Sequence, residues 1–87
     1  MGKWKGMMIS GFLEIPVTVT YGSSSDRLPQ WFGSGTTDQD WPAGQLEFET
    51  NIGTVHIYNR AIRRDGKHHI EFKGSSTPKG PLARVMV

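Results

Sequence analysis

The chain has 87 residues, 36% of them hydrophobic, and a formal net charge of +2; at this size only about 60–65% of the unfolded surface can be buried, which predicts one small domain over residues 1–87. Eleven glycines and five prolines are scattered without a period, excluding collagen-like and low-complexity chains, while three Trp, four Phe and two Tyr argue against disorder. There is no cysteine, so disulfides, thiol catalysis and thiolate zinc sites are excluded, and no apolar run reaches the ~18 residues of a membrane-spanning helix.

Lys3 and Lys5 precede an apolar stretch in the manner of a signal peptide, but Glu14 interrupts it and no small-residue cleavage site follows. Met1-Gly2 lacks the Ser or Thr that myristoylation requires, since Gly6 stands there. The expectation is a cytoplasmic protein with no membrane contact.

Period-two alternation then runs through most of the chain. The segments 4–9 and 12–21 form a hairpin about Ser10-Gly11, with Met8 opposite Leu13 and Trp4 opposite Val17. Pro16, lacking an N–H, falls opposite Lys5 and marks an edge or a bulge. The segment 29–36 is a glycine-rich strand, where Trp31 or another ring packs over bare backbone. A second hairpin joins 45–51 to 54–63 about Ile52-Gly53, pairing Thr50 with Val55 and Phe48 with Ile57. A third joins it to 67–74 through a type I′ turn at Asp65-Gly66, pairing Ala61 with Ile70 and Asn59 with Phe72.

The segment 82–87 reads as a final strand. It belongs to an internal echo, in which Phe32-Gly33-Ser34-Gly35-Thr36 and Lys73-Gly74-Ser75-Ser76-Thr77 each precede a proline, a glycine and a leucine. Either a duplicated strand-loop-strand unit or recurrent turn chemistry produces such an echo. No helical periodicity competes over ten residues. The predicted fold is all-β: a small antiparallel β-barrel or compact sandwich of six to seven strands built from hairpins. Its expected core is Trp4, Met8, Leu13, Ile15, Val17, Val19, Leu46, Phe48, Val55, Ile57, Ile70 and Phe72.

Charge is divided unevenly. Residues 1–59 hold three basic and six acidic side chains, and residues 60–87 hold seven and two. The expected register places His56, Tyr58, Arg60, Arg64, Lys67, His69 and Lys73 on the outward face, with Glu71 among them. A basic sheet face carrying an aromatic suits single-stranded nucleic acid or a nucleotide-like anion. A solvated outer face must be polar in any case, and Glu47 and Glu49 are expected opposite Tyr58 and His56, where they neutralise one edge.

The loop 36–44 is long, acidic and carries a tryptophan beside a proline. Asp38, Asp40, Trp41 and Pro42 form a candidate protein-binding site with Trp41 as anchor. The competing reading of Trp41 is a plug over one end of the barrel. Two carboxylates, Asp38 and Asp40, fall short of a calcium site. Adjacent strand residues His68 and His69 point to opposite faces and cannot share one metal ion. Gly33-Ser34-Gly35 matches neither a nucleophile elbow nor a phosphate loop. No catalytic residue, metal or cofactor is expected. The first functional expectation is a protein-interaction module, an adaptor or inhibitor, using the Trp41 loop or a sheet edge. The alternative is a binder of nucleic acid or a nucleotide-like anion through the basic face. The small core also leaves homo-oligomerisation open.

Overall fold

The computed structural model describes residues 2–22, 30–39 and 45–86. Six strands, β1 (Gly2–Ser10), β2 (Leu13–Tyr21), β3 (Trp31–Thr37), β4 (Glu47–Thr50), β5 (Gly53–Ile62) and β6 (His68–Gly74), are followed by a short helix, α1 (Gly80–Met86). All pairings are antiparallel in one sheet of order β1-β2-β3-β6-β5-β4, curled into a half-barrel. The all-β, barrel-like class expected from the alternation is the observed one.

Two hairpins keep their expected faces but differ in register. β1 pairs Trp4 with Val19, Met8 with Ile15 and Met7 with Pro16, not Trp4 with Val17, Met8 with Leu13 and Lys5 with Pro16. The turn residues are Gly11-Phe12, with Gly11 at φ 62°, a conformation that glycine enters without steric cost. Likewise Phe48 pairs with Val55 and Thr50 with Gly53, about a turn at Asn51-Ile52. Both differences are slips of two residues, and a slip of two preserves which side chains face inward. They also move Glu47 opposite His56 and Glu49 opposite Thr54, so neither carboxylate meets Tyr58 as expected.

The third hairpin differs by one residue. Gly66 N–H donates to Arg63 O at 2.9 Å, so Arg64 and Asp65 occupy the turn centre and Gly66, at φ 83°, follows them. A three-residue connection of this kind replaces the two-residue turn expected. It pairs Ala61 with His69 and Arg60 with Ile70. Left uncorrected, that slip would turn the whole of β5 inside out. A bulge between Ile57 and Asn59 restores the inward side, so that Ile57 faces the core and pairs with Phe72, in the place expected for Asn59. Beyond the bulge Ala61 is exposed and Arg60 faces the side of Ile70.

The buried core comprises Met8, Ile15, Val17, Val19, Trp31, Phe48, Ile52, Val55, Ile57, Ile70, Phe72 and Leu82, with Trp4, Leu13 and Tyr21 packed against it. Leu46, expected inside, is 51% exposed: it precedes β4 at the end of the sheet, where only β5 flanks it, through Ile57 N–H donating to Leu46 O at 2.7 Å. Trp31, by contrast, enters the core over bare backbone. A methyl group at Gly74 would lie within its indole ring, and its Nε1–H donates to Ser76 O at 3.1 Å. Gly33 plays the same part for Phe72, whose ring a methyl there would approach to 2.8 Å.

The expected strand 82–87 is instead helix α1. Gly80 at φ 54° and Pro81 behind it cannot continue a strand ladder, whereas proline suits a first helical turn, where no N–H partner is required. The two halves of the internal echo therefore end differently, one in β4 and one in a helix. Leu82 is fully buried and joins the core. Backbone bonds from Ser75 to Thr54 O at 2.9 Å and from Lys79 to Ile52 O at 3.0 Å lead the chain across the sheet to this position, and Tyr21 OH donates to Val85 O at 3.2 Å.

The sheet edges β1 and β4 are stapled by Asn51, beside a bond from Ser10 Oγ–H to Glu49 O at 2.9 Å. Asn51 Oδ1 accepts from Ile9 N–H at 2.7 Å, its Nδ2–H donates to Met7 O at 3.0 Å, and its own N–H donates to Ile9 O at 3.0 Å. The amide thus imitates a strand residue where the ladder is open. Asn51→Ala removes two of these bonds at roughly 1 kcal/mol each, so the melting temperature should fall by about 8–16 °C, at the 4–8 °C per kcal/mol of a domain this size. A melt unchanged by the substitution would show that the edges do not depend on Asn51.

Candidate functional site

Strand pairing aligns the outward side chains into rows that cross the sheet. The first row runs Lys3, Thr20, Phe32, Lys73, His56, Glu47, one residue from each strand. The second runs Lys5, Thr18, Ser34, Glu71, Asn59. Thr36, His69 and Ala61 belong to a third. The face is therefore a lattice of lysines, hydroxyls and histidines.

Two aromatic rings interrupt it. Phe32 is 49% exposed and Tyr58 is 54% exposed. Phe32 and Tyr58 face outward because Trp31 and Ile57 before them face inward, and Tyr58 also occupies the β5 bulge. Both rings border one furrow with Lys3, Thr18, Ser34 and Glu71, and Gly33 lies bare along it. A neighbouring furrow shares Thr18, Ser34 and His69 and continues to Lys5 and Thr36. Of the two acids in these rows, Glu47 stands at the β4 edge and Glu71 is held locally: its Oε1 accepts from Asn59 Nδ2–H at 3.3 Å and lies 3.9 Å from His69 Nε2. His69 is oriented in turn by a 2.9 Å hydrogen bond between its Nδ1 and Thr36 Oγ1. Among the described residues, Lys3, Lys5 and Lys73 have no carboxylate partner.

Of the residues expected on the basic face, His56, Tyr58, His69 and Lys73 share this surface. Arg60 is a correction: the one-residue shift pairs it with Ile70, on the core side of the sheet. Arg64 and Lys67 lie in the connection between β5 and β6 and not in a strand. Of the expected protein-binding site, Asp38 is exposed just after β3, while Asp40, Trp41 and Pro42 lie outside the described residues. Among the described residues, no three His, Asp or Glu side chains come together as metal ligands.

Sequence reasoning missed Lys3, Lys5 and Phe32. The signal for Phe32 was present, because two adjacent bulky residues in a strand must face opposite ways and burying Trp31 exposes its neighbour. Lys3 and Lys5 are separated from β6 by more than sixty positions in sequence, and only the strand order brings them to the same face.

No protein-family model, curated protein or solved structure matches this chain. The functional reading accordingly rests on the chemistry of this face.

Proposed function

We propose that the chain is a non-enzymatic binding module that holds single-stranded nucleic acid on the outer face of its sheet. The observation that carries this reading is the pair of half-exposed rings, Phe32 and Tyr58, bordering one furrow. Lys3, Lys5 and Lys73 surround them in the rows of the sheet. Unpaired bases offer aromatic faces that a duplex conceals, and stacking on protein rings accepts any base. Lysines neutralise the phosphates between stacked bases, and Thr18, Thr20 and Ser34 supply hydroxyls to sugars and base edges.

Titration with a fluorescent thymidylate oligonucleotide of about 4 residues, short enough to lie on the rings alone, tests the reading. Affinity should fall with log salt with a slope near −2, from three lysines at ~0.7 each, and should collapse when both rings are removed. Equal binding of single-stranded and duplex probes, or binding indifferent to the rings, would contradict it.

A second reading, docking of a protein partner, has one observation in its favour. Phe12 is 98% exposed in the turn between β1 and β2, with Met7 and Ile9 also exposed, and a turn position places no demand for an aromatic. Such an anchor would bind through apolar burial and barely respond to salt, which separates it from the first reading.

A further inference from the structure

The connection between β5 and β6 leaves the sheet as a charged arm. Residues 61–67 are exposed without a break, and Arg63, Arg64 and Lys67 are among them. The turn is closed by its own backbone, with Arg63 N–H donating to Lys67 O at 2.8 Å and Gly66 N–H to Arg63 O at 2.9 Å. Asp65, the only acid in this turn, is occupied by the backbone, its Oδ1 accepting from Lys67 N–H at 3.0 Å. A methyl group at Gly66 would meet nothing within 4 Å. The fold therefore asks nothing of the three long cationic side chains.

The arm is also continuous with the outer face. Lys67 borders a furrow with Met7, Glu14, Pro16, Thr36 and Asp38, of which Met7, Pro16 and Thr36 also line the furrow that leads through Ser34 and His69. Lys67 and Lys73 are separated by six residue steps on either side of the start of β6. At ~3.3 Å per strand residue, that is about 20 Å.

We propose that Arg63, Arg64 and Lys67 form a phosphate tether for the strand that Phe32 and Tyr58 stack, gripping its backbone beyond the rings. The proposal rests on the nucleic-acid reading above and adds that the interface has two separable parts. The rings hold bases over a short span, and the arm holds phosphates farther along. A short oligonucleotide lying on the rings does not reach the arm, whereas a longer one engages both.

The test compares the wild-type protein with an Arg63→Ala, Arg64→Ala, Lys67→Ala variant on thymidylate oligonucleotides of about 4 and about 16 residues, the range of known single-strand sites. On the long probe the triple variant should bind at least tenfold more weakly at low salt. Its log–log salt slope should be smaller by about 2, from three cations at ~0.7 each. On the short probe it should match the wild type. An Arg63→Lys, Arg64→Lys variant should keep the wild-type slope, because the tether reads charge. All these side chains are exposed, so every variant should melt as the wild type does.

An unchanged slope on the long probe, with the wild type binding it, overturns the tether and leaves the ring platform standing. Equal losses on both probes overturn the division into two parts. Failure of the wild type to bind either probe overturns the platform, and the tether with it.

Discussion

Replacing Trp31 with alanine should cost about 3–5 kcal/mol, the loss expected for a large aromatic removed from a core. The indole is 2% exposed, and a buried tryptophan removes roughly 150–250 Å² from water. Its surroundings are ill suited to collapse into the space. Two of its neighbours, Gly53 and Gly74, have no side chain to move, and the ring's N–H is the bond that fixes Ser76 at the start of the crossing segment. A domain of this length has about 4–13 kcal/mol of stability at ~0.05–0.15 kcal/mol per residue, so the loss is a large share of the total and the melting temperature should fall by about 12–40 °C, at the 4–8 °C per kcal/mol of a domain this size. Trp4, only half-buried at the barrel margin, provides the comparison, and Trp4→Ala should be clearly milder. Thermal melts followed by circular dichroism decide the matter. A Trp31→Ala protein melting within a few degrees of wild type would show that the core does not depend on the ring.

Removing the two outer rings should have the opposite profile, intact folding with binding lost. Base stacking on an aromatic side chain is worth about 1–3 kcal/mol per base. The Phe32→Ala, Tyr58→Ala variant should therefore bind a thymidylate oligonucleotide between about 30-fold and about 10⁴-fold more weakly, at 1.4 kcal/mol per tenfold. Both rings are about half exposed, so the folded state loses little burial and the melt should shift by only a few degrees. Tyr58→Phe should bind normally, since stacking needs the ring and not the hydroxyl. Undiminished affinity in the double variant would remove the rings from the interface. A collapsed melt would instead make them structural.

The contrast between Trp31 and Phe32 also shows how far the fold and the site can be read without coordinates. Facing is legible because the strand period is two, and it survived register slips of two residues in the β1–β2 and β4–β5 hairpins. Register is not legible to that accuracy. Gly11 and Asn51 could each be placed at more than one turn position without disturbing the alternation. The β5–β6 hairpin exposes the limit: an Asp-Gly pair fits both a two-residue and a three-residue connection, and only the second requires the bulge that turns Asn59 outward and Arg60 inward. Arg60 was misplaced for that reason.

The helix at 80–86 was missed because seven residues are too few to display helical periodicity, although Gly80-Pro81 is a helix-start signal. Leu82 and Ile52 entered the core unannounced, and Trp31 was legible only as a ring packed over the glycine-rich backbone. Each depends on a long-range closure of the barrel, and local alternation carries no record of it. The same holds for the site: β6 contributed its basic residues legibly, while Lys3 and Lys5 reach that face only through the order β1-β2-β3-β6-β5-β4.

The most direct test of the proposed interface is a map of backbone amide chemical shifts during titration with a thymidylate oligonucleotide of about 16 residues. The shifts should concentrate along the outer rows, at Thr18, Thr20, Phe32, Ser34, Tyr58 and Lys73, and extend through His69 to Lys67 and Arg64. Shifts confined to Phe12, Met7 and Ile9, or none at saturating oligonucleotide, would contradict it.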